Sequence, residues 1–374
     1  MNTKEKINQL LKASISVDKF FDEIEKLRIV NTGDKYILIT QLNALGDAVL
    51  STGFVREVKK LYPNHKIILI CGANTQDIWK HCPYTDQIIV FDFQSTNMVE
   101  VLREELNVCE YALWDKNIEL AFSPVFGDTV LANLFFNYLS FAKQTIGYGE
   151  HNKSIYFKKA YYEQTFGQSI NYDSFLLTHN IKFPYNMFSD LDKRYYILEK
   201  LSGKKINKPL ELWNPYIEHK YKEQCKDYII IGDVGSLQRK LYPYYSEALA
   251  DINIPYLRLS QCHGGIDEVV SWIKDCRLYL GNDTGLMHVA SVFNKPIVVC
   301  YAESSDLEKY EESGFLSYYK RFYPISKKVQ ALRPKHAIDE CNSMFIQGGC
   351  CHEEVHCIKK IPISVVNKAI KKLL

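Results

Sequence analysis

YILITQLNALGDAVLSTGFVREVKKLYPNHKIILIC, residues 36–71, reads as one strand–helix–strand unit. Residues 36–40 are a short apolar run of the kind that forms a buried strand. After the loop over residues 41–46, Leu50, Phe54, Val58 and Leu61 repeat at helical spacing. Pro63 ends that helix, because it lacks the N–H and crowds the preceding turn. The next strand follows over residues 66–71. A strand returning through a helix to a second strand is how parallel neighbours are connected, so the unit predicts a parallel sheet.

The same alternation extends outward. Residues 87–91 read as a strand, and residues 118–122 as another, followed by an apolar helical stretch over 129–141. Upstream, residues 1–26 are polar and amphipathic and predict a helical lead-in. It is read as a packing element, with regulation, assembly or membrane docking as the alternatives. Residues 203–224 break the rhythm with Lys204, Lys205, Pro209, Pro215 and many charges, and read as an interdomain linker. Strands are then expected over 228–231, 256–259, 278–280 and 297–301. Helices are expected over 244–251 and 287–293, and through Ile266, Val269, Val270 and Ile273. The reading is an α/β chain of two Rossmann-like domains, 1–212 and 213–358. A C-terminal helix over 359–374 is expected to pack back on the first domain. Two such sheets facing one another would line an interdomain cleft with their carboxyl ends, where open α/β sheets bind ligands.

Composition sets the outer limits. A chain of 374 residues with 47% hydrophobic and 24% charged residues is long enough for two cores and too apolar for wholesale disorder. Lysine plus arginine number 46 against 44 acids, too even a balance for a partner recognised by charge alone, and no nucleic acid is expected. No apolar run approaches the ~18 residues of a membrane span, so at most peripheral membrane contact is expected. The 11 cysteines are odd in number and scattered. Cys71 and Cys300 sit in apolar runs as reduced, buried thiols, which points to a cytoplasmic protein, at most at the inner face of the membrane.

Three loops carry the residue types that do chemistry. In residues 41–47, Gln-Leu-Asn-Ala-Leu-Gly-Asp, Gly46 permits a close backbone approach and Asn43 lies beside it. Asp47 falls at the helix start, where it reads equally as an N-cap or as a general base. In residues 236–243, Ser-Leu-Gln-Arg-Lys-Leu-Tyr-Pro, Ser236, Arg239 and Lys240 follow a strand end, and a cation there suits a diphosphate. The bland alternative is a solvated basic pair. In residues 281–288, Gly-Asn-Asp-Thr-Gly-Leu-Met-His, two glycines, Asp283 and Thr284 lead into a helix whose free N–H groups make an anion site. Gly285 opens that helix and His288 lies within it, the histidine being a weak candidate for donor contact. Neither the dinucleotide fingerprint nor a Walker loop is matched.

Taken in order, ALGDAVLSTGFVREVKKLYP (44–63), IGYG (146–149), RKLYP (239–243) and LGNDTGLMHVASVFNKPIVV (280–299) resemble glycosyltransferase family nine, the lipopolysaccharide heptosyltransferases. HCIKKI (356–361) is a fainter echo. The resemblance implies the GT-B fold. The first domain would take a glycan or glycolipid acceptor, and the second a nucleotide-sugar donor. It implies an inverting, metal-independent enzyme that moves a heptose or related sugar from an ADP-sugar to a hydroxyl of a lipopolysaccharide core. Within it, Asp47 matches the proposed base and Lys240 the lysine on the donor diphosphate. Asp283, Thr284 and Gly285 match the segment holding the donor's phosphates and sugar.

Departures keep other readings open. Gly232-Asp233-Val234-Gly235 stands where a small-residue phosphate loop is expected, and places an acid near the diphosphate. Cys341, Cys350, Cys351 and Cys357, with His352 and His356, are soft ligands close together, and a structural zinc or iron is the alternative to no metal at all. Their spacing speaks against it, since no C-x-x-C pair is present. The alternative functions are O-heptosylation of a protein with a metal-binding cysteine cluster, and a catalytically silent nucleotide-sugar binder. A pure binder has no need of a base, so Asp47 beside Lys240 argues against the last.

Overall fold

Two N-terminal helices, α1 (Thr3–Lys12) and α2 (Val17–Glu25), bury Ile7, Phe20 and Ile24 in the same core as the first sheet. The lead-in is therefore a packing element. The computed structural model describes residues 3–12, 17–27, 29, 33–92, 98–125, 130–148, 177–184, 186–218, 227–305, 317–336 and 357–374. The chain divides into two compact units. One is Met1–Tyr185 with Lys193–Lys208, and the other Asn186–Asp192 with Pro209–Leu374. The expected break at 212/213 lies within a few residues of the second crossing, while the segment at 186–192 has no counterpart in the sequence reading.

In the first unit β1 (Lys35–Gln41) is followed by α3 (Leu45–Leu61), β2 (Lys66–Gly72), α4 (Gln76–Trp79) and β3 (Gln87–Phe91). Then come α5 (Met98–Ala112), β4 (Asn117–Phe122), α6 (Val130–Leu139), β5 (Gln144–Gly147) and the short β6 (His179–Asn180). The strands form a parallel sheet in the order β3-β2-β1-β4-β5-β6. Ile37, Leu38 and Ile39 are all fully buried, as expected of a central parallel strand covered on both faces. Leu38, Ile68 and Ile70 pack with Leu102, Leu106 and Phe136 of α5 and α6, while Phe54 of α3 meets Phe122 edge-on at 5.7 Å. The order reverses between β1 and β4, and that reversal opens the crevice in which such sheets hold ligands.

Helix α7 (Asp190–Ser202) is counted with the second unit over its first three residues and with the first unit thereafter. Gly203 closes it at φ +66° and donates its N–H to Glu199 O at 2.9 Å, the left-handed cap that glycine adopts without strain.

The second unit holds β7 (Ile229–Gly232), α8 (Tyr245–Ala248), β8 (Tyr256–Arg258), α9 (Gly265–Asp275) and β9 (Leu278–Asn282). They are followed by α10 (Gly285–Val292), β10 (Ile297–Cys300), α11 (Tyr318–Arg321), β11 (Val329–Leu332) and α12 (Ile363–Leu373). The parallel order is β11-β10-β9-β7-β8, so the reversal here lies between β7 and β9. Within this unit Arg321 donates from Nε and Nη2 to the two carboxylate oxygens of buried Asp190, at 3.1 and 2.9 Å.

The C-terminal helix does not behave as expected. Val366, Ala369 and Ile370 join Ile229, Leu280 and Val298 in the core of the second unit. Asn367 Nδ2 donates to Ala248 O at 2.9 Å, and Lys371 pairs with Asp251 at 2.5 Å. The apolar face of α12 therefore packs on the sheet of its own unit.

Candidate active site

In the first unit the loop after β1 is held by asparagines from α6. Thr40 donates to Asn137 Oδ1 at 3.1 Å, the Leu42 N–H to Asn133 Oδ1 at 3.0 Å, and Asn133 Nδ2 to Asn43 Oδ1 at 2.9 Å. Asn43 is thus a buried strut of the loop. The N-cap position of α3 belongs to Ala44, and Asp47 lies in the first turn beyond it, so the simple capping reading of Asp47 is not what the geometry shows. Its carboxylate receives a hydrogen bond from the guanidinium of Arg194 on α7. The side chain of Arg194 is 1% exposed and that of Asp47 15%. Arg194 Nε also donates to Ser51 Oγ at 3.0 Å, and Ser51 Oγ donates to Asp47 O at 2.8 Å.

In the second unit the candidate residues gather at the β7/β9 reversal. Gly232 and Gly281 are register partners. Tyr279 lies across both: a Cβ at Gly232 would sit 2.1 Å from its hydroxyl, and one at Gly281 2.6 Å from its ring. Burial pushes the Tyr279 phenol well above its ordinary pKa. Asn282 ties the loop after β7 to β9. It accepts from the Tyr242 N–H (2.8 Å) and the Tyr245 hydroxyl (2.7 Å), and donates to Gly232 O (2.9 Å). That anchoring leaves Lys240, at the end of the 3₁₀ turn Gln238–Lys240, with Nζ 2.8 Å from Asp283 Oδ2.

Thr284 caps α10 in an extended conformation, φ −137° and ψ 167°. Its own N–H donates to Asn282 O at 2.8 Å. Gly285 and Leu286, the first residues of α10, carry amides without an acceptor inside the helix. Ser236 is exposed in the loop, and Arg239 lies in the 3₁₀ turn. His288 is buried inside α10 with its ring against Phe322. The acid that the sequence placed near the diphosphate is already engaged. Asp233 accepts from Arg258 Nη1 at 2.9 Å and from the Ser260 N–H and hydroxyl at 2.9 and 2.8 Å. A carboxylate so neutralised does not confront an incoming anion with a bare charge.

Beside this set lies a carboxylate that sequence reading missed. Glu303, beyond β10, is buried and accepts from Ser317 Oγ at 2.5 Å, with Arg333 Nη1 at 3.7 Å. Arg333 stacks on the Tyr319 ring at 3.9 Å. The available signal was position alone, since both residues follow the carboxyl ends of apolar strands. Arg194 was missed because nothing near it in sequence resembles a loop of the site.

The candidate metal ligands lie largely outside the described residues, namely Cys341, Cys350 and Cys351 with His352 and His356. Cys357 is buried. Among the described residues no group of three or more metal-ligating side chains comes together. Cys71, Cys276 and Cys300 are free thiols pushed by burial up to about 12, inert as buried cysteines are. Among the described residues no helix is long and apolar enough to cross a membrane.

Residues 264–333 match the family model described as Glycosyltransferase family 9 (heptosyltransferase). A search of curated protein sequences finds no match. Solved structures match over nearly the whole chain. The family 9 glycosyl transferase from Veillonella parvula has a TM-score of 0.62 at 16% identity, over 92% of this chain and 99% of its own. The E. coli ADP-heptose LPS heptosyltransferase II gives 0.58 at 15%, over 90% and 98%. The E. coli heptosyltransferase WaaC with ADP-2-deoxy-2-fluoro heptose gives 0.57 at 12%, over 91% and 100%. At these identities the likeness establishes the fold, which is the expected α/β GT-B architecture.

Proposed function

We propose that this chain, a glycosyltransferase of family nine by the match over residues 264–333 and by fold, moves a heptose or related sugar from an ADP-sugar to a hydroxyl of a lipopolysaccharide-core or other glycan acceptor. The observation that carries the reading is Lys240 beside Asp283 at the β7/β9 reversal, next to the amides that open α10. A lysine and helix-terminal N–H groups favour a diphosphate. A carboxylate repels phosphate but accepts hydrogen bonds from sugar hydroxyls. The pair therefore sorts the donor, with Lys240 toward the diphosphate and Asp283 toward the sugar. That a solved relative was crystallised with an ADP-heptose analogue supports an adenine donor.

Asp47 takes the proton of the acceptor hydroxyl as that oxygen attacks the anomeric carbon from the face opposite the diphosphate. The bond between the anomeric carbon and the phosphate oxygen breaks, its electron pair stays with ADP, and the configuration inverts. Lys240 and the Gly285 and Leu286 amides stabilise the charge that grows on the leaving group, so the reading requires no metal.

The test is calorimetric titration with ADP, UDP and GDP, with and without magnesium, followed by turnover of ADP-heptose. Metal-independent preference for ADP that is lost in Lys240→Ala, with an Asp47→Ala protein that binds but does not transfer, is the expected result. Preference for UDP or GDP overturns the donor, and binding of no nucleotide overturns the enzyme reading.

A further inference from the structure

Asp47 is reached by one arginine whose whole side chain is withdrawn from solvent. Arg194 is 1% exposed, sits on α7 and is separated from Asp47 by 147 positions in sequence. Its guanidinium binds the carboxylate, and its Nε binds Ser51 Oγ at 3.0 Å. Ser51 in turn donates to the Asp47 carbonyl at 2.8 Å, one helical turn back. Side chain and backbone of Asp47 are thus fixed from one point. Arg56 and Glu57, further along α3, pair with each other at 3.0 Å. Tyr195, beside Arg194 on α7, has its phenol pushed far up by burial and stays neutral.

Resting on the reading of Asp47 as the base, we propose that Arg194 is its positioning residue, holding the carboxylate in one rotamer and charge state for the acceptor hydroxyl. A base left to rotate on a helix surface would spend most of its time out of reach of the reacting proton, and small misplacements are costly to turnover. The planar fork of arginine suits this task, because it fixes direction as well as charge, where an ammonium would fix charge alone.

The experiment compares Arg194→Met, Arg194→Lys, Ser51→Ala and Asp47→Asn in the full chain. ADP-heptose is the donor, and both heptose-free lipopolysaccharide core and water serve as acceptors, the latter read as slow ADP release. Nucleotide affinity and thermal midpoint are measured alongside. Arg194→Met is expected to keep ADP affinity within about twofold while kcat falls by about 100-fold, the size of a lost general-base geometry. The acid limb of its kcat/KM profile is expected to move to higher pH, because the carboxylate has lost its counter-charge. Guanidinium ion in the assay should recover part of the rate. Should Arg194→Met fail to fold, Arg194→Lys carries the test, with a kcat loss of about tenfold or more expected from the missing fork.

Arg194 variants with kcat within threefold of wild type, or an Arg194→Met acid limb that does not move, reduce the pair to a structural contact and overturn the proposal. An inactive Asp47→Asn protein beside active Arg194 variants would overturn this inference alone. An active Asp47→Asn protein would overturn the base itself.

Discussion

Lys240 Nζ stands 2.8 Å from the Asp283 carboxylate, a contact made across the ends of two neighbouring strands by residues 43 positions apart. Asp283 is 9% exposed at its side chain and Lys240 27%, so the lysine is the member facing outward. Its removal should weaken ADP binding by about 10- to 100-fold, the loss of one charge-assisted contact to phosphate. Asp283→Asn should barely change ADP affinity yet weaken the intact ADP-sugar, because the carboxylate is assigned to the sugar. Titration of both variants with ADP and ADP-heptose separates these effects. Equal losses for the two ligands in Asp283→Asn would show that the aspartate merely holds the lysine.

Much of this arrangement was readable in the chain itself. The strand–helix alternation from Tyr36 onward located the strands because parallel strands buried on both faces are short continuous apolar runs, as Ile37 to Ile39 and Val298 to Cys300 are. Loops 41–47 and 281–288 were found by glycine, by small polar residues and by their place after a strand. What stayed hidden came from long-range pairing. Arg194 reads as one more charge on an amphipathic helix, and only the fold brings it to Asp47. The sequence reads α12 as packing on the first domain, whereas Val366, Ala369 and Ile370 lie in the core of the second unit. Asp233 looked like a hazard to an anion because its partners, Arg258 and Ser260, lie 25 and 27 residues away.

At the opposite, amino-terminal edge of the first sheet, Glu119 gathers His65 at 2.8 Å and Lys35 and Lys143 at 3.3 Å each. The hydrogen bond from His65, followed by those from the two lysines, holds its pKa at about 2, against an ordinary value of 4.5. A carboxylate depressed in the folded state stabilises the fold above its unfolded pKa, and that contribution is lost as pH falls through the folded value. Urea midpoints of the wild type should therefore decline between about pH 4.5 and 2 more steeply than those of Glu119→Gln. Parallel acid profiles for the two proteins would remove Glu119 as a cause.

Asp190 and Arg321 form a buried ion pair, with two bonds at 2.9 and 3.1 Å on a carboxylate with no exposure. Breaking such a pair leaves a charge in a site that cannot hydrate it. Arg321→Met should cost about 3–5 kcal/mol of stability in the second unit, whereas replacing both partners by apolar residues should cost much less. Chemical denaturation of the two single variants and the double variant measures the coupling. An additive result would mean that solvent reaches Asp190 once the arginine is gone.

Gly232 offers the sharpest steric test of the site's floor. A Cβ there would lie 2.1 Å from the Tyr279 hydroxyl and 2.7 Å from the ring carbon that bears it, so the ring would have to shift. Tyr279 is fully buried, so it cannot swing into solvent. Gly232→Ala should therefore destabilise the protein by about 1–3 kcal/mol, the cost of overpacking. Its effect on nucleotide binding should be disproportionate, because the displaced ring pushes on the β7 and β9 ends that seat Lys240 and Asp283. Adding Tyr279→Phe removes the nearest atom and should restore part of both losses. The ring carbon still stands 2.7 Å away, so full recovery is not expected. Thermal melts and ADP titrations of the two single variants and the double variant close the cycle. If Gly232→Ala binds ADP as the wild type does, the strand ends yield without disturbing the loops, and the glycine pair serves only to house Tyr279.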